Sequence, residues 1–290
     1  MGIFRRARSE REQIDRIHRL AVDVYARHGI RGELELDLDD PVNASIRTAG
    51  PTYGLANVTL RCLGAPEREW RSILDRFVLT LLAASATPAV DLDRDRAGLR
   101  ARLLPVDAVA GSSLTYARPF APTLVEVLCL DLPESVVTLT DEVLADRDDL
   151  DQLFAAGRAQ LAHEPIDQRE AIDDGVVVLA GGSLFIASLV LTADRIAAEL
   201  GGAPHGFVFI IPDRGTILAH AMDGANSVAA IQRLAEIGAG ISAEQRPGGL
   251  LSRAVFYANG PHVQLVTELD PETGATRIIA DGLFFEALNR

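Results

Sequence analysis

A run of 19 residues, 175 to 193 with the sequence GVVVLAGGSLFIASLVLTA, contains no charged side chain. A segment this long and apolar is either a membrane-spanning helix or part of a buried core. Gly181 and Gly182 interrupt its middle, and acidic residues flank both of its ends. β-Branched residues dominate its first half. These features favour two buried strands joined by a Gly-Gly turn over a membrane helix.

The N-terminal part of the chain shows the patterns of a helix, then strands, then a second helix. Ser9 to His28 has apolar residues at helical spacing, with Ser9 as a candidate N-cap and Glu12 completing a capping box. Extended patterns follow in GELELDLDD and YGLANVTLRCL, which predict strands. A second helix is predicted to begin at Pro66. We therefore predict an N-terminal α+β unit over residues 1–85.

The rest of the chain predicts a linker and a larger domain. Residues 86–98 are polar and turn-rich without helical or strand periodicity, which is typical of a linker. Residues 99–290 then alternate strand and helix patterns, which predicts a mixed α/β unit with antiparallel hairpins. The segments RAVFYANG, HVQLVTEL and ATRIIADG predict a final antiparallel meander with a turn at Asp270, Pro271 and Gly274. The predicted fold class of the whole chain is α+β.

The segment PHGFVFIIPDRGTILAH, residues 204 to 220, predicts a β-hairpin with the turn sequence PDRG. If Ile211 pairs with Thr216, then Phe207 lies opposite His220. His205 shares the parity of Phe207, so both histidines are predicted to lie on one face as diagonal neighbours.

This arrangement defines a candidate ligand-binding site of four residues, namely His205, Arg214, His220 and Asp223. A metal would need further ligands, and Asp223 is the nearby carboxylate with suitable reach. The alternative, which the pattern favours more, is a hairpin whose histidines are structural. Arg118 in YARPFAP is, like Arg214, a residue able to bind an anion.

The composition excludes several classes of function. All 28 basic residues are arginines, so a P-loop lysine and a Schiff-base lysine are excluded. The net charge of −13 disfavours nucleic acid as a partner. Cys62 and Cys129 lie far apart in apolar segments, which predicts buried thiols in a reducing cytoplasm. The first residues lack the apolar stretch of a signal peptide.

Motifs for metal, nucleotide or nucleophilic chemistry fail in this sequence. DLDRDR at 91–96 resembles the start of a calcium loop, but Arg96 and Arg102 replace the required glycine and glutamate. We therefore predict no catalytic residue, no metal and no cofactor. The leading hypothesis is a cytoplasmic non-enzymatic adaptor or chaperone-like module that associates with an acid-tolerant or basic protein partner, with sheet edges and grooves able to take a peptide. The alternative is a hydrolase or small-ligand enzyme at the hairpin of residues 204–223.

A third hypothesis is peripheral attachment to a membrane. Residues 1–31 carry eight arginines against four acidic residues, which suits an anionic lipid surface. The remainder of the chain has a net charge of −17 and would be repelled by that surface, so membrane association is disfavoured. The sequence does not predict an oligomeric state.

The order of these segments resembles the YtpQ-like family of bacterial proteins, a domain of unknown function. The resemblance is carried by LANVTLRCLGAPEREWRSILDRFV (55–78), LLPV (103–106), VEVLCLDLPESVVTLTDEVL (125–144), VVVLAGGSLFIASLVL and the hairpin segment. It covers most of the chain. The family has no assigned activity, cofactor or catalytic residue, so the resemblance implies no mechanism.

Overall fold

The computed structural model describes residues 2–36, 42, 44–48, 52–85, 92, 94–110, 112–132, 135–241, 249–269 and 276–290. The chain divides into two compact units, Met1–Ala89 and Val90–Arg290. Each unit combines helices with antiparallel sheet, so the predicted α+β class is confirmed. Of the predicted linker, residues 86–91 and 93 lie outside the described residues, and residues 96–98 form a 3-10 helix.

Unit 1 packs its helices on a small antiparallel sheet with strand order β1-β2-β3. One apolar face of α1 is buried, and α3 buries residues at helical spacing against the same core. The elements are α1 (Gly2–Arg27), β1 (Glu33–Leu36), β2 (Ala44–Arg47), β3 (Thr52–Gly54), α2 (Ala56–Leu63) and α3 (Glu67–Ser85).

Two predictions for unit 1 are wrong. Helix α1 begins at Gly2, so Ser9 lies inside the helix and is not its N-cap. Residues 56–63 form helix α2, where the sequence predicted a strand. Leu55, Val58 and Cys62 are buried at helical spacing, and the adjacent β-branched residues Val58 and Thr59 masked this period in so short a segment.

Unit 2 begins with a four-stranded antiparallel sheet in which β6 pairs with β4, β5 and β7. Helix α6 lies close to β4, because a Cβ at Gly157 would be 2.8 Å from Ala101 N. The elements are β4 (Leu99–Pro105), α4 (Val106–Val109), β5 (Arg118–Ala121), β6 (Leu124–Leu132), β7 (Ser135–Thr138), α5 (Asp141–Leu144) and α6 (Leu150–Leu161).

A six-stranded antiparallel sheet follows, with the order β13-β12-β10-β11-β9-β8. Strands β14 and β15 form a separate ribbon. The elements are β8 (Gln168–Ala171), β9 (Val177–Ala180), α7 (Ala193–Glu199), β10 (Phe207–Asp213), β11 (Thr216–Ala221), α8 (Val228–Gly240), β12 (Phe256–Asn259), β13 (His262–Leu265), β14 (Thr267–Leu269), β15 (Thr276–Ile278) and α9 (Gly282–Leu288).

The six-stranded sheet has apolar side chains on both faces, as a central layer requires. Phe207 and Phe209 belong to a core shared with β4, β6 and a 3-10 helix at Ile186–Leu191. Val208 and Ile210 belong to the core beneath α8 and α9. Every residue of β10 is buried, which explains the uninterrupted apolar run FVFII.

The uncharged run is correctly predicted as buried, but its second half is not a strand. Strand β9 occupies the first half, and Ile186–Leu191 forms the 3-10 helix. Residues 186–190 are all buried, so burial on every side produced an apolar run without a strand period. Among the described residues, no helix combines the length and apolar character needed to cross a membrane.

The predicted hairpin register is wrong. Asp213 pairs with Thr216, and a bulge between Ile210 and Asp213 shifts the ladder. His220 therefore lies opposite Val208 and not Phe207. The turn uses Arg214 and Gly215, so two residues of the predicted four-residue turn extend the strand.

The predicted C-terminal meander is correct in its antiparallel strand pairs, but the two pairs belong to different sheets. Strands β12 and β13 pair antiparallel at one edge of the large sheet. Strands β14 and β15 leave that sheet, and the chain continues into α9, which was not predicted. The predicted turn at Asp270, Pro271 and Gly274 lies outside the described residues.

Candidate functional site

A groove of about 350 Å³ lies in unit 2 between two edge strands, β5 and β13. Its volume falls at the small end of the range of ligand pockets, about 300–1,000 Å³. Seven of its ten lining residues are apolar, although polar atoms form most of its accessible surface. The lining residues are Pro119, Phe120, Glu126, Arg158, Val190, Leu191, Gly260, Pro261, His262 and Val263.

Glu126 is the buried acidic group of the groove. It lies in β6, between two sheet neighbours, and its accessible fraction is 1%. A carboxylate removed from water needs a charged or hydrogen-bonding partner, because its desolvation is otherwise costly. The position of Glu126 in a central strand therefore requires a cation close by.

Arg158, from α6, is that partner. Its Nε donates to Glu126 Oε1 at 2.6 Å, and its Nη2 donates to Glu126 Oε2. Gly157 allows α6 to lie against β4, which brings the neighbouring Arg158 within reach of β6. The bond to Glu126 raises the pKa of Arg158. The Arg158 side chain is 45% exposed, whereas that of Glu126 is 2% exposed.

A second arginine lies beside the same carboxylate. Arg118 in β5 is the cross-strand partner of Glu126. Its guanidinium carbon lies 3.9 Å from the centre of the Phe154 ring, and its Nη2 donates to Asp151. Asp151 is 92% exposed, so solvent weakens its hold on Arg118.

The turn from β12 to β13 forms one rim of the groove. Gly260 has a φ of +54°, a left-handed conformation that glycine adopts without strain. Pro261 follows, and the exposed His262 begins β13. This rim is thus a tight turn, and His262 at its end lines the groove.

The groove combines apolar walls with one oriented guanidinium group. Phe120, Val190 and Leu191 are partly or fully buried and belong to the main core. The described lining contains no serine, cysteine, threonine or lysine, so it offers no nucleophile paired with a base. Such a lining suits binding by shape, apolar contact and hydrogen bonding.

The four residues predicted as a ligand site do not line this groove. His205 lines a different cavity of about 30 Å³, a volume on the scale of a few water molecules. Tyr257 Oη donates to His205 O at 2.8 Å, and His205 Nδ1 is buried without a hydrogen-bond partner.

His220 and Asp223 are brought together through Ser227. His220 Nδ1 lies 3.0 Å from Gly175 O, and its Nε2 lies 3.2 Å from Ser227 Oγ. The carbonyl can only accept a hydrogen bond, so Nδ1 donates to it, and Nε2 makes the contact with Ser227 Oγ. Asp223 N donates to Ser227 Oγ at 2.7 Å. Ser227 is fully buried at the start of α8, so this serine–histidine pair stabilises a loop.

Arg214 lies in the turn at the far end of the hairpin. Its carbonyl accepts a hydrogen bond from Ala187 N at 3.0 Å. The strand between this turn and His205 spans roughly 20 Å at about 3.3 Å per residue. The structure thus joins His220 and Asp223 and leaves His205 and Arg214 elsewhere.

Sequence reasoning missed Glu126, Arg158 and His262, although it identified Arg118 as a possible anion ligand. A signal for Glu126 was present, since VEVLCLDL places a carboxylate inside an otherwise apolar strand. That pattern predicts a buried ion pair. The partner could not be found in the same way, because Arg158 lies 32 residues further along the chain.

Unit 1 has a larger and more open depression, about 480 Å³, between α1 and α3. Its arginines are partly engaged, since Arg16 pairs with Glu67 and Arg19 Nε donates to Asp15 O. The indole of Trp70 donates to Ala65 O and is 4% exposed. This depression lacks a buried charged group oriented toward a ligand, so the groove of unit 2 is the better candidate.

Among the described residues, no three histidine, cysteine, aspartate or glutamate side chains form a group able to hold a metal ion. Comparison with family models, curated proteins and solved structures finds no match to this chain. The resemblance to the YtpQ-like family stays an expectation from the sequence.

Proposed function

We propose that this protein is a non-enzymatic adaptor or chaperone-like module of the bacterial cytoplasm that binds a short extended segment of a partner protein. The observation that carries the proposal is the groove between β5 and β13. It combines apolar walls, a sheet edge and one oriented arginine, which are the elements that peptide-binding grooves use.

The edge of β13 supplies main-chain groups for such a segment. Val266 N donates to Val255 O at 2.8 Å, which sets the alternation of bonded pairs between β12 and β13. Opposite residues in an antiparallel pair are alternately hydrogen-bonded and not hydrogen-bonded. Val263 lies three residues before Val266, so it belongs to a pair without hydrogen bonds, and its N–H and C=O point away from β12. Val263 also lines the groove, so an added strand can pair there while its side chains enter the groove.

The opposite wall is less suited to strand addition. Strand β5 contains Pro119, which has no N–H, and its ladder is irregular between Pro119 and Ala121. Proline and irregular pairing are features that protect sheet edges against added strands. We therefore assign main-chain recognition to β13 and apolar contact to Phe120 of β5.

The charge of the molecule favours a basic partner protein. Unit 2 contains 29 acidic residues and 15 arginines, a field that attracts cationic proteins and increases their association rate. The cytoplasmic setting is proposed from the two buried, unpaired cysteines. Burial raises the pKa of Cys62 to about 11 and that of Cys129 to about 12, which suits inert thiols.

The test removes one outward N–H from the proposed edge. Val263→Pro deletes this donor without removing a hydrogen bond to β12. A library of acetylated hexapeptides with free C-termini provides the ligands. Peptides that bind the unaltered protein should lose at least tenfold in affinity for the variant, because one main-chain hydrogen bond and the edge geometry are lost.

The control places proline at the opposite edge of the same sheet. In β8, Ile172 N donates to Val176 O at 2.8 Å, so the N–H of Ala171 points outward. Ala171→Pro should leave peptide affinity unchanged. Equal affinity of both variants for the selected peptides would reject β13 as the binding edge, and a library without any binder would reject the peptide-binding function.

A further inference from the structure

Within the described part of the chain, the Arg158–Glu126 pair leaves one edge of the guanidinium group without a hydrogen-bond partner. Arg158 uses Nε and Nη2 toward Glu126, so the edge formed by Nη1 and the second hydrogen of Nη2 is directed elsewhere. The side chain is 45% exposed although its partner is buried, and it lines the groove. The buried carboxylate thus holds the guanidinium plane in place while its other edge meets solvent.

This geometry suits a carboxylate ligand. A planar guanidinium binds a carboxylate through two parallel N–H bonds, and such pairs are stronger than neutral hydrogen bonds. Orientation by Glu126 reduces the side-chain entropy lost on binding. Arg118, the cross-strand partner of Glu126, does not line the groove and donates to Asp151, so Arg158 is the arginine that lines the groove.

Resting on the proposed function, we infer that the bound segment is the C-terminal end of the partner chain and that its terminal carboxylate binds Arg158. The groove volume of about 350 Å³ admits a few residues of an extended chain and no folded element. A run of acidic side chains is disfavoured, because unit 2 has 29 acidic residues against 15 arginines. A single terminal carboxylate with apolar residues before it fits Arg158 and the apolar lining residues of the groove.

The experiment compares each binding hexapeptide as the free acid and as the C-terminal amide, by fluorescence polarisation. The unaltered protein should bind the acid at least tenfold more tightly, because the charge-assisted pair with Arg158 is lost with the amide. Arg158→Met should abolish the preference, so that the ratio of acid affinity to amide affinity falls to about one. Arg158→Lys should be intermediate, since it keeps the charge and loses the planar fork.

The matched control is Arg233→Met, which removes an arginine of similar exposure, 40%, from its carboxylate partner Glu236 on α8. This variant should keep the full preference for the acid. If Arg158→Met does not fold, as judged by circular dichroism, Arg158→Lys supplies the comparison.

Three outcomes overturn the inference in distinguishable ways. Equal binding of acid and amide by the unaltered protein rejects carboxylate recognition and leaves peptide binding intact. An amide peptide with an internal aspartate or glutamate that binds as tightly as the acid, and that depends equally on Arg158, rejects the chain terminus as the source. Absence of binding by every peptide rejects both this inference and the proposed function.

Discussion

Two arginine–glutamate pairs in unit 2 have the same chemistry, but their arginines differ in how many N–H groups are bonded to other described residues. Glu126 and Glu164 are 1% and 8% exposed, and each accepts a bond from an arginine Nε. Arg100, the partner of Glu164, is 15% exposed and also donates through Nη1 to two main-chain carbonyls. Arg158, the partner of Glu126, is 45% exposed and borders a groove.

The difference separates a structural ion pair from one suited to recognition. Arg100 joins β4 to the loop after α6, and Glu164 also accepts a bond from Ser183 Oγ at 2.6 Å. The Nε and Nη1 donors of Arg100 are therefore used within the protein. A salt bridge whose arginine keeps an unused edge at a cavity holds that group ready for a ligand. Burial of the carboxylate alone does not distinguish the two cases.

The largest expected effect comes from Arg100→Met. This change leaves Glu164 buried without its cation and removes the bonds to Ala97 and Leu99. We expect a loss of about 3–5 kcal/mol in the free energy of unfolding. Urea unfolding followed by far-UV circular dichroism measures it. A loss below about 1 kcal/mol would contradict the assignment of this pair as structural.

Arg158→Met should have a smaller effect on stability. Its loss should be about 1.5–3 kcal/mol, because Glu126 lines the groove and becomes open to water when the guanidinium group is removed. The comparison uses the same urea titration. Adding Glu126→Gln should recover part of the loss, since it removes the unpaired charge. A loss equal to that of Arg100→Met would show that the two pairs do not differ in the way described.

Ser183→Ala tests the additional support of Glu164. The variant removes the 2.6 Å bond to Glu164 and a bond from Phe185 N, which is 3.2 Å long. The expected cost is about 1.5–2 kcal/mol in unfolding free energy, because the acceptor is charged and buried. The cost of Ser183→Ala should be different in an Arg100→Met background, since Arg100 and Ser183 bind the same carboxylate, that of Glu164. Additive losses would show that they act independently.

The smallest effect concerns His18, a buried ionisable group of unit 1 whose ring nitrogens have no hydrogen-bond partner among the described residues. Burial lowers the pKa of His18 from 6.5, with a partly opposing effect of Asp15. The unfolded chain therefore takes up the proton first as the pH falls. Stability is complete above about pH 6.5 and declines below it, by no more than about 1.4 kcal/mol per pH unit.

Trp70, the only tryptophan of the chain, reports the unfolding of unit 1 by fluorescence. His18→Leu should remove the contribution of this histidine to the decline in the free energy of unfolding between pH 6.5 and its lowered pKa. An identical pH profile for the variant and the unaltered protein would contradict the assignment. His18 is thus a third case beside the two ion pairs, in which burial without a charged partner favours the neutral form of the group.

Long periodic segments were predictable and short ones were not. Helix α3 and strand β6 follow from many apolar residues at one period. Helix α2 and the 3-10 helix at Ile186–Leu191 are short or wholly buried, so neighbouring elements decide their conformation. The hairpin of β10 and β11 was predictable as a hairpin, but a bulge set its register. A one-residue shift moves each side chain to another partner.

The amino-acid sequence by itself determined the α+β class, the burial of the uncharged run and the absence of lysine chemistry. These properties depend on composition and local period, which act over a few residues. The tertiary structure alone decided the groove, the pairing of Glu126 with Arg158 and the separation of His205 from His220. Those features depend on contacts between distant parts of the chain, and a local pattern carries no information about which distant residue completes them.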